Sequence, residues 1–281
     1  MTHAQSRAVS RVLSGIPATD GAGVRMTRVI ATEALDHFDP FLLLDEFRSD
    51  DPGDYIAGFP DHPHRGFETV TYMLAGAMKH GDNKGNTGLL GPGSVQWMTA
   101  GRGIIHSEMP QQEDGLMWGF QLWVNLPSGQ KMAEPRYQDI PASDVPETSV
   151  GDNVTARVIA GELNGVTGPV SGVATEPFYF DVRLEAGAGV DIPTPADHNV
   201  FAYVYKGALA IGAGQGSTVR RGEIALLTTG SSVSVNSDES TRFILVGGRP
   251  LNEPIARYGP FVMNTPDEIR QAIMDFQAGR F

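Results

Sequence analysis

The stretch Glu68-Thr-Val-Thr-Tyr-Met-Leu-Ala-Gly76 is echoed later in the chain by Asn199-Val-Phe-Ala-Tyr-Val-Tyr-Lys-Gly207. A second echo joins Pro92-Gly-Ser-Val-Gln-Trp-Met98 to Arg221-Gly-Glu-Ile-Ala-Leu-Leu227. In each half a hydrophobic strand ends in glycine, and a glycine turn about fifteen residues later opens another strand. An internal repeat of this kind predicts two copies of one β-barrel in a chain of 281 residues.

Short strand-like segments, separated by Gly, Pro, Asn or Asp, continue this pattern outside the repeat. The content of turn residues, with 34 glycines and 19 prolines, is typical of many short strands joined by tight turns. We therefore expect an all-β protein with an N-terminal barrel over residues 1–140 and a C-terminal barrel over residues 141–281. The clearest expected strands are Arg25–Ala31, Thr69–Leu74, Ser94–Met98, Gly119–Asn125, Phe178–Leu184, Phe201–Tyr205, Glu223–Thr228 and Phe243–Val246.

Helical periodicity appears only near the end of the chain. Thr265-Pro-Asp-Glu268 has the form of a capping box with proline at the first helical position. The sequence therefore predicts one amphipathic C-terminal helix that packs on the β-structure. The apolar residues that follow at the spacing of one helical face are Ile269, Ala272, Ile273 and Phe276.

Composition excludes several classes of function. The chain has no cysteine, which removes disulfides, thiolate metal sites and cysteine nucleophiles. Its formal net charge of −12 repels phosphate backbones, so no direct nucleic-acid binding is expected. The first residues lack the apolar core of a secretory signal, and no apolar run is long enough to span a membrane. We expect a cytoplasmic monomer with no membrane contact.

Two short motifs present metal-binding side chains in pairs. In His62-Pro63-His64, residues two apart on an extended chain point to the same face, so both imidazoles enter the same space. His106-Ser107-Glu108 delivers an imidazole and a carboxylate in the same way. Two such pairs on neighbouring strands supply four convergent ligands, which suit Fe(II), Mn(II), Ni(II) or Cu(II) with positions left open. Closed structural zinc sites favour thiolates, and the chain has none.

The remaining histidines are solitary, and a lone histidine is more often structural than a ligand. His80 follows the first hairpin and His198 stands alone in the second half, so both are expected to be structural. Aligning the repeats places Pro193 and Pro195 opposite the first histidine pair, and Val235-Asn-Ser237 opposite the second motif. None of these residues can replace the ligands, so the C-terminal barrel is expected to hold no metal.

Four blocks of the sequence resemble the pirin family of the cupin superfamily. Two of them carry the paired motifs, namely His62-Pro-His-Arg-Gly-Phe-Glu-Thr-Val-Thr-Tyr72 and Gln96-Trp-Met-Thr-Ala-Gly-Arg-Gly-Ile-Ile-His-Ser-Glu-Met-Pro110. The other two are Asp39-Pro-Phe-Leu-Leu-Leu-Asp-Glu-Phe47 and Gly259-Pro-Phe-Val-Met-Asn-Thr265. The resemblance covers nearly the whole chain, and the first two blocks are highly specific.

This resemblance implies a bicupin, in which two antiparallel β-barrels (double-stranded β-helices) lie face to face and only the N-terminal one holds metal. By the same resemblance His62, His64, His106 and Glu108 match the family's iron ligands. In ordinary cupins a glutamate shortly after the HxH motif is the ligand, which would be Glu68 here. Spacing does not decide between Glu68 and Glu108, because both stand at even distances from a histidine. The resemblance favours Glu108 and leaves Glu68 as a partner of the ligands.

The resemblance also implies two functions. Some pirin-like proteins are similar to quercetin 2,3-dioxygenase, which opens a flavonol ring with O₂ and releases carbon monoxide. In that function one divalent metal per chain is expected, Fe(II) in the first place and Mn, Ni, Cu or Zn as alternatives. Glu108 is then the candidate general base, since a carboxylate can accept the proton of the substrate hydroxyl. The alternative is a non-enzymatic, metal-binding and redox-sensing regulator that binds a partner protein.

Overall fold

The computed structural model describes residues 5–212 and 216–281, and the chain forms two compact units. The metal-barrel unit contains Ile16–Thr32, Pro40–Ser143 and Leu251–Phe281. The second-barrel unit contains Met1–Gly15 (described from Gln5), Glu33–Asp39 and Asp144–Pro250. The chain passes from the metal-barrel unit to the second-barrel unit after Ser143, and the boundary was expected at residue 140. The N-terminal segment belongs to the second-barrel unit, and the C-terminal segment belongs to the metal-barrel unit.

The described residues form many short antiparallel strands, three 3₁₀ turns and one α-helix, α1 (Pro266–Gln277). The 3₁₀ turns are Pro52–Asp54, Ser128–Gln130 and Ala142–Asp144. The strands in chain order are β1 (Val9–Ser14), β2 (Ile16–Asp20), β3 (Val24–Ile30), β4 (Phe41–Ser49), β5 (Phe59–His64), β6 (Phe67–Ala75), β7 (Met78–Asp82), β8 (Thr87–Leu90), β9 (Val95–Thr99), β10 (Ile104–Pro110), β11 (Met117–Asn125), β12 (Arg136–Ile140), β13 (Glu147–Gly151), β14 (Val154–Ala160), β15 (Glu162–Leu163), β16 (Val166–Thr167), β17 (Phe178–Leu184), β18 (Gly189–Pro193), β19 (Asn199–Lys206), β20 (Ala208–Ile211), β21 (Ser217–Arg220), β22 (Glu223–Leu227), β23 (Ser232–Asn236), β24 (Thr241–Gly248), β25 (Ala256–Tyr258) and β26 (Phe261–Met263).

The metal-barrel unit is built from two antiparallel sheets. A seven-stranded sheet has the order β12-β9-β6-β11-β4-β3-β2, and a four-stranded sheet has the order β5-β10-β7-β8. The central strand β6 is buried along most of its length, which fits a sequence that is apolar, aromatic or β-branched at every position except Glu68. Apolar side chains such as Phe47, Met73 and Met117 pack between strands of this unit and form part of its core.

The second-barrel unit repeats this topology strand for strand. Its seven-stranded sheet has the order β1-β22-β19-β24-β17-β14-β13, and its four-stranded sheet has the order β18-β23-β20-β21. Thus β19 takes the place of β6, and β22 takes the place of β9, as the sequence repeat predicts. Strand β1 pairs with β22 where β12 pairs with β9 in the other unit, which explains why the first residues of the chain belong here.

The C-terminal helix begins as the sequence predicts. The Thr265 side chain accepts a hydrogen bond from the backbone N–H of Glu268, and the Glu268 carboxylate accepts one in return from the backbone N–H of Thr265. The helix buries Ile269 and Ala272, and Arg65 on the barrel donates to its Asp275 at 2.8 Å. None of the helices in the described part of the chain is long and apolar enough to cross a membrane.

The buried side chain of Lys131 links the C-terminal segment Leu251–Phe281 to the rest of the metal-barrel unit. Lys131 Nζ donates to the carbonyl oxygens of Gly66 and Val262 at 2.8 and 3.0 Å, and to Asn125 Oδ1 at 2.7 Å. Burial lowers the pKa of Lys131 to about 8, so its charge depends on these three acceptors for stabilisation.

Replacing Lys131 by methionine is expected to lower the free energy of unfolding by about 3 kcal/mol, because three buried acceptors lose their donor. Urea unfolding measures the effect, and Lys79→Met, at an exposed position of β7, is the matched control. Equal unfolding midpoints for the two variants would show that the three hydrogen bonds contribute no net stability.

Candidate metal centre

Strand pairing brings the two histidine motifs together. Strands β5 and β10 are antiparallel neighbours, with His106 directly opposite His62 and Ile104 opposite His64. Side chains directly opposite on paired strands share a face, and residues two apart on one strand share it as well. His62, His64 and His106 therefore converge on one side of the four-stranded sheet, as the spacing predicts.

The three imidazoles form a compact cluster. One ring nitrogen from each of His62, His64 and His106 lies within 4.8 Å of the others. The Nε2 atoms of His62 and His64 are 3.0 Å apart. The Nδ1 atom of His62 lies 2.8 Å from the Pro60 carbonyl oxygen. Because a carbonyl only accepts, Nδ1 of His62 carries a proton, which leaves Nε2 as the nitrogen of this ring that can bind a metal.

Burial keeps two of the three rings, those of His64 and His106, uncharged. His64 and His106 are 3% and 1% exposed. Burial lowers the pKa of His64 well below its ordinary value, with His106 and His62 adding to the effect. Burial also lowers the pKa of His106, with His62 as the next cause. Nδ1 of His64 and both ring nitrogens of His106 have no hydrogen-bond partner. Buried lone pairs without partners, on neutral rings that converge, fit a transition-metal ion.

Glu108 lies next to this cluster but is held by other groups. Its side chain is 2% exposed and lines the same cavity as His62 and His64. The carboxylate lies outside the 4.8 Å group and accepts hydrogen bonds from Thr71 and Gln121. A register shift between His106 and Glu108 places Glu108 opposite Phe59 of β5.

Glu68 is bound in a different part of the barrel. Its carboxylate accepts hydrogen bonds from Trp97 Nε1 at 3.0 Å and from Thr99 Oγ1 at 2.6 Å. Burial raises the pKa of Glu68, against the effect of these two donors. Glu68 is also absent from the residues that line the cavity beside the histidines. Its partners are therefore the side chains of β9, and no hydrogen bond joins it to the cluster.

The two other buried histidines lie in different environments. His80 on β7 stands opposite Glu108 of β10, and its ring stacks on Tyr137 with the centroids 5.4 Å apart. His198 has both ring nitrogens engaged, Nδ1 with the Asp197 carboxylate at 3.0 Å and Nε2 with the Glu176 carbonyl oxygen at 2.8 Å. These partners account for His198 as a structural residue.

A cavity of about 580 Å³ opens beside the cluster within the metal-barrel unit. Its walls combine apolar side chains, among them Phe47 and Trp123, with polar ones. Arg28 donates to both oxygens of Asp45 at 3.0 and 2.8 Å, and both residues line the cavity. A volume of this size with mixed walls is typical of pockets for small organic molecules.

Sequence reasoning did not find the polar groups of the seven-stranded sheet that face this region. Thr71 and Asp45 lie within two of the quoted sequence blocks, but nothing in those blocks gives them a role, and Thr71 has the character of an ordinary β-branched strand residue. Their role depends on which residues stand opposite one another across four strands. That pairing follows from the register of the sheet, which cannot be deduced from the sequence.

The second-barrel unit has different residues at the corresponding strands. Strand β18 ends at Pro193 and pairs with β23, which contains Val235. Ile192, Val233 and Val235 are buried there among apolar side chains. We predict that a metal-saturated chain carries one transition-metal ion, because the convergent imidazoles found within residues 5–212 and 216–281 all lie in one barrel. Elemental analysis after metal loading measures the ratio, and a value near two would place a further ion outside the histidine cluster.

The fold and the cluster together define a class, that of two-barrel cupin proteins in which one barrel carries convergent histidines. The family described as Pirin matches residues 23–124, and that described as Pirin C-terminal cupin domain matches residues 179–281. The chain belongs to the pirin family.

Individual relatives agree over nearly the full length. A pirin-like protein of Caulobacter vibrioides is 48% identical over 276 residues, with 98% of this chain and 99% of the relative covered. Pirin of Homo sapiens is 46% identical over 263 residues, with 92% and 88% covered. The solved quercetin 2,3-dioxygenase from Acinetobacter baumannii superposes with a TM-score of 0.91 at 35% identity, with 98% of both chains covered. The predicted fold class, all-β with two cupin barrels and a C-terminal helix, is thus confirmed.

Proposed function

We propose that the metal-barrel unit holds one divalent transition metal, Fe(II) in the first place, and uses it to open a flavonol ring with O₂. In this proposal His62, His64, His106 and Glu108 are the ligands, and a small aromatic substrate occupies the adjoining cavity. The observation that carries the proposal is the set of three imidazoles within 4.8 Å of one another, two of which, His62 and His64, line a cavity of about 580 Å³.

The assignment of Glu108 as the carboxylate ligand has separate support. It stands two residues after His106 on β10, so its side chain leaves the strand toward the same face. It also lines the cavity together with His62 and His64. Glu68 has neither property, since Trp97 and Thr99 bind it elsewhere in the barrel.

The chemistry that the metal would supply is that of a Lewis-acidic, redox-active centre for a deprotonated flavonol and dioxygen. The chain itself contributes orientation and proton transfer. Apolar walls that include Phe47 and Trp123 enclose the aromatic rings and keep water from them. The Arg28–Asp45 pair presents polar atoms for substrate hydroxyls away from the ligands.

Glu108 is the group that accepts the proton of the flavonol 3-hydroxyl. A carboxylate within reach of that hydroxyl gives the substrate the charged form in which it can chelate a metal. The overall reaction takes up one molecule of O₂ per flavonol, breaks two carbon–carbon bonds of the central ring, and releases carbon monoxide and a depside. All atoms of both reactants appear in these two products.

The similarity to a structure described as quercetin 2,3-dioxygenase supports flavonols as the substrate class. The test is an aerobic assay with quercetin and protein loaded in turn with Fe, Mn, Ni or Cu. We expect bleaching of the flavonol absorbance near neutral pH with at least one metal, and none with protein that lacks metal. His106→Ala is the control for chemistry outside the site.

A specific negative result would favour the alternative function. If the protein binds metal at the histidine cluster and no metal supports turnover, the enzymatic proposal fails. A metal-dependent regulator that binds a partner protein would then be the better account, since that function uses the same ligands without a substrate.

A further inference from the structure

Two side chains of the seven-stranded sheet hold the carboxylate of Glu108. Thr71 Oγ1 donates to Oε1 at 2.9 Å. Gln121 Nε2 donates to Oε2 at 3.0 Å and to Oε1 at 3.3 Å. The reversed amide would turn the Gln121 carbonyl oxygen toward the carboxylate, so only this orientation makes the contact attractive. Hydrogen bonds to an ionised acceptor are among the stronger ones in proteins.

These two residues belong to a line of polar side chains across four adjacent strands. Gln121 on β11 stands opposite Asp45 on β4 and Thr71 on β6, and Thr71 stands opposite Gln96 on β9. Residues directly opposite one another share a face of the sheet, so all four point to the side on which Glu108 lies. We call Asp45, Gln121, Thr71 and Gln96 the polar row.

The second-barrel unit, whose described residues form no histidine cluster, shows what the same positions contain there. There, Leu245 stands opposite Phe180 and Ala202, and Ala202 stands opposite Ala225. These four residues occupy the strands that correspond to β4, β11, β6 and β9, in the same pairings. All four are buried in the hydrophobic core of that unit.

This comparison separates the needs of the fold from those of the site. An interior polar group lowers stability unless it is hydrogen-bonded, and an apolar row satisfies the same topology in the other barrel. The fold therefore does not require the polar row. We propose that Thr71 and Gln121 are positioning residues, which fix the Glu108 carboxylate beside the histidine cluster. This inference rests on the proposed metal site and adds to it the two groups that orient its carboxylate.

Positioning matters here because a glutamate side chain has several rotatable bonds. Two donors from a different sheet restrict these rotations before a metal arrives, so less conformational entropy is lost on binding. Gln121 also lines the cavity. The Gln121 side chain therefore connects the wall of the cavity to the Glu108 carboxylate. Because its Nε2 atom donates to both carboxylate oxygens, it also restricts the orientation of the carboxylate plane.

The test compares the binding of Co(II) to full-length variants by chelator competition. Co(II) is chosen because its visible absorption reports the ligand field without oxidation. Thr71→Val and Gln121→Leu remove the donors with little change in volume, and we expect each to weaken Co(II) binding by about ten- to a hundred-fold and to alter the absorption bands. Thr71→Ser keeps the hydroxyl and should retain the wild-type affinity.

Gln96→Leu is the matched control within the polar row. Gln96 donates to Asp139 at 2.8 Å, and no hydrogen bond joins it to Glu108. We expect wild-type Co(II) affinity for this variant. Equal affinities for wild type, Thr71→Val and Gln121→Leu would overturn the inference, and so would equal losses in Thr71→Ser and Thr71→Val. Failure of wild-type protein to bind metal would refute the metal site itself. Metal binding without quercetin turnover would refute only the proposed reaction, and the Co(II) affinities of the variants would still test the positioning role of Thr71 and Gln121.

Discussion

The double replacement His62→Ala and His106→Ala is expected to reduce the metal content of the protein from about one ion per chain to none. The two residues face each other on β5 and β10, so their removal takes away half of the proposed ligand set. Each single replacement should weaken metal binding by more than about a hundred-fold, since even partners of ligands contribute up to that much. Elemental analysis after loading and desalting gives the result directly.

The histidine variants should remain folded. The pKa of His106 is held low by burial, and its ring nitrogens make no hydrogen bonds that alanine would break. Circular dichroism checks the fold. His37→Ala is the control, because His37 is an exposed histidine whose ring contacts Asp36. A full equivalent of metal in the double variant would show that the ion binds elsewhere.

The second large effect is expected from Glu108→Gln. An amide has nearly the same shape as a carboxylate but does not accept a proton near neutral pH. We therefore expect quercetin turnover at saturating metal to fall by about a hundred-fold or more, the usual contribution of a general base. Steady-state kinetics with each metal measures this loss, together with the reduced metal affinity that follows when a charged ligand is replaced.

Glu68→Gln is the matched control for this experiment. Glu68 is as deeply buried as Glu108, at 2% exposure, but its partners are Trp97 and Thr99. We expect metal content and turnover of Glu68→Gln to stay close to wild type, whatever its effect on stability. If Glu68→Gln lost the metal and Glu108→Gln kept it, the carboxylate ligand would be Glu68 and not Glu108.

The sequence was sufficient for the architecture. Eight strands of the two barrels, the correspondence between the barrels and the capped C-terminal helix follow from apolar runs, glycine turns and the repeat, which are local signals. The grouping of the chain ends did not follow. Strand β1 reads as a strand wherever it lies, and only its pairing with β22 assigns it to the second-barrel unit.

The histidine cluster could be predicted because both of its motifs use the period of a strand. The carboxylate was harder, since an even spacing allows Glu68 as well as Glu108 to face a histidine. In the structure Glu68 accepts hydrogen bonds from Trp97 and Thr99, whereas Glu108 lines the cavity beside His62 and His64. Such features depend on contacts between residues far apart in sequence, so no local sequence pattern predicts them.

The polar row illustrates the same limit. Thr71 and Gln121 are separated by a long stretch of chain, and neither position differs from an ordinary strand residue until β6 and β11 are paired. The repeat does contain a clue, because alignment of the two glycine-ended strands places Ala202 at the position of Thr71. An apolar residue in one copy and a polar one in the other marks a position where the two barrels differ in chemistry.

The most direct test of flavonol ring opening in the metal-barrel unit is the measurement of carbon monoxide released from quercetin under O₂. Loss of colour alone does not distinguish ring opening from uncatalysed oxidation. For protein loaded with its active metal we predict equimolar consumption of O₂ and quercetin with an equimolar yield of carbon monoxide, all abolished in His106→Ala. Bleaching without carbon monoxide, or an equal yield from His106→Ala, would contradict the proposed function.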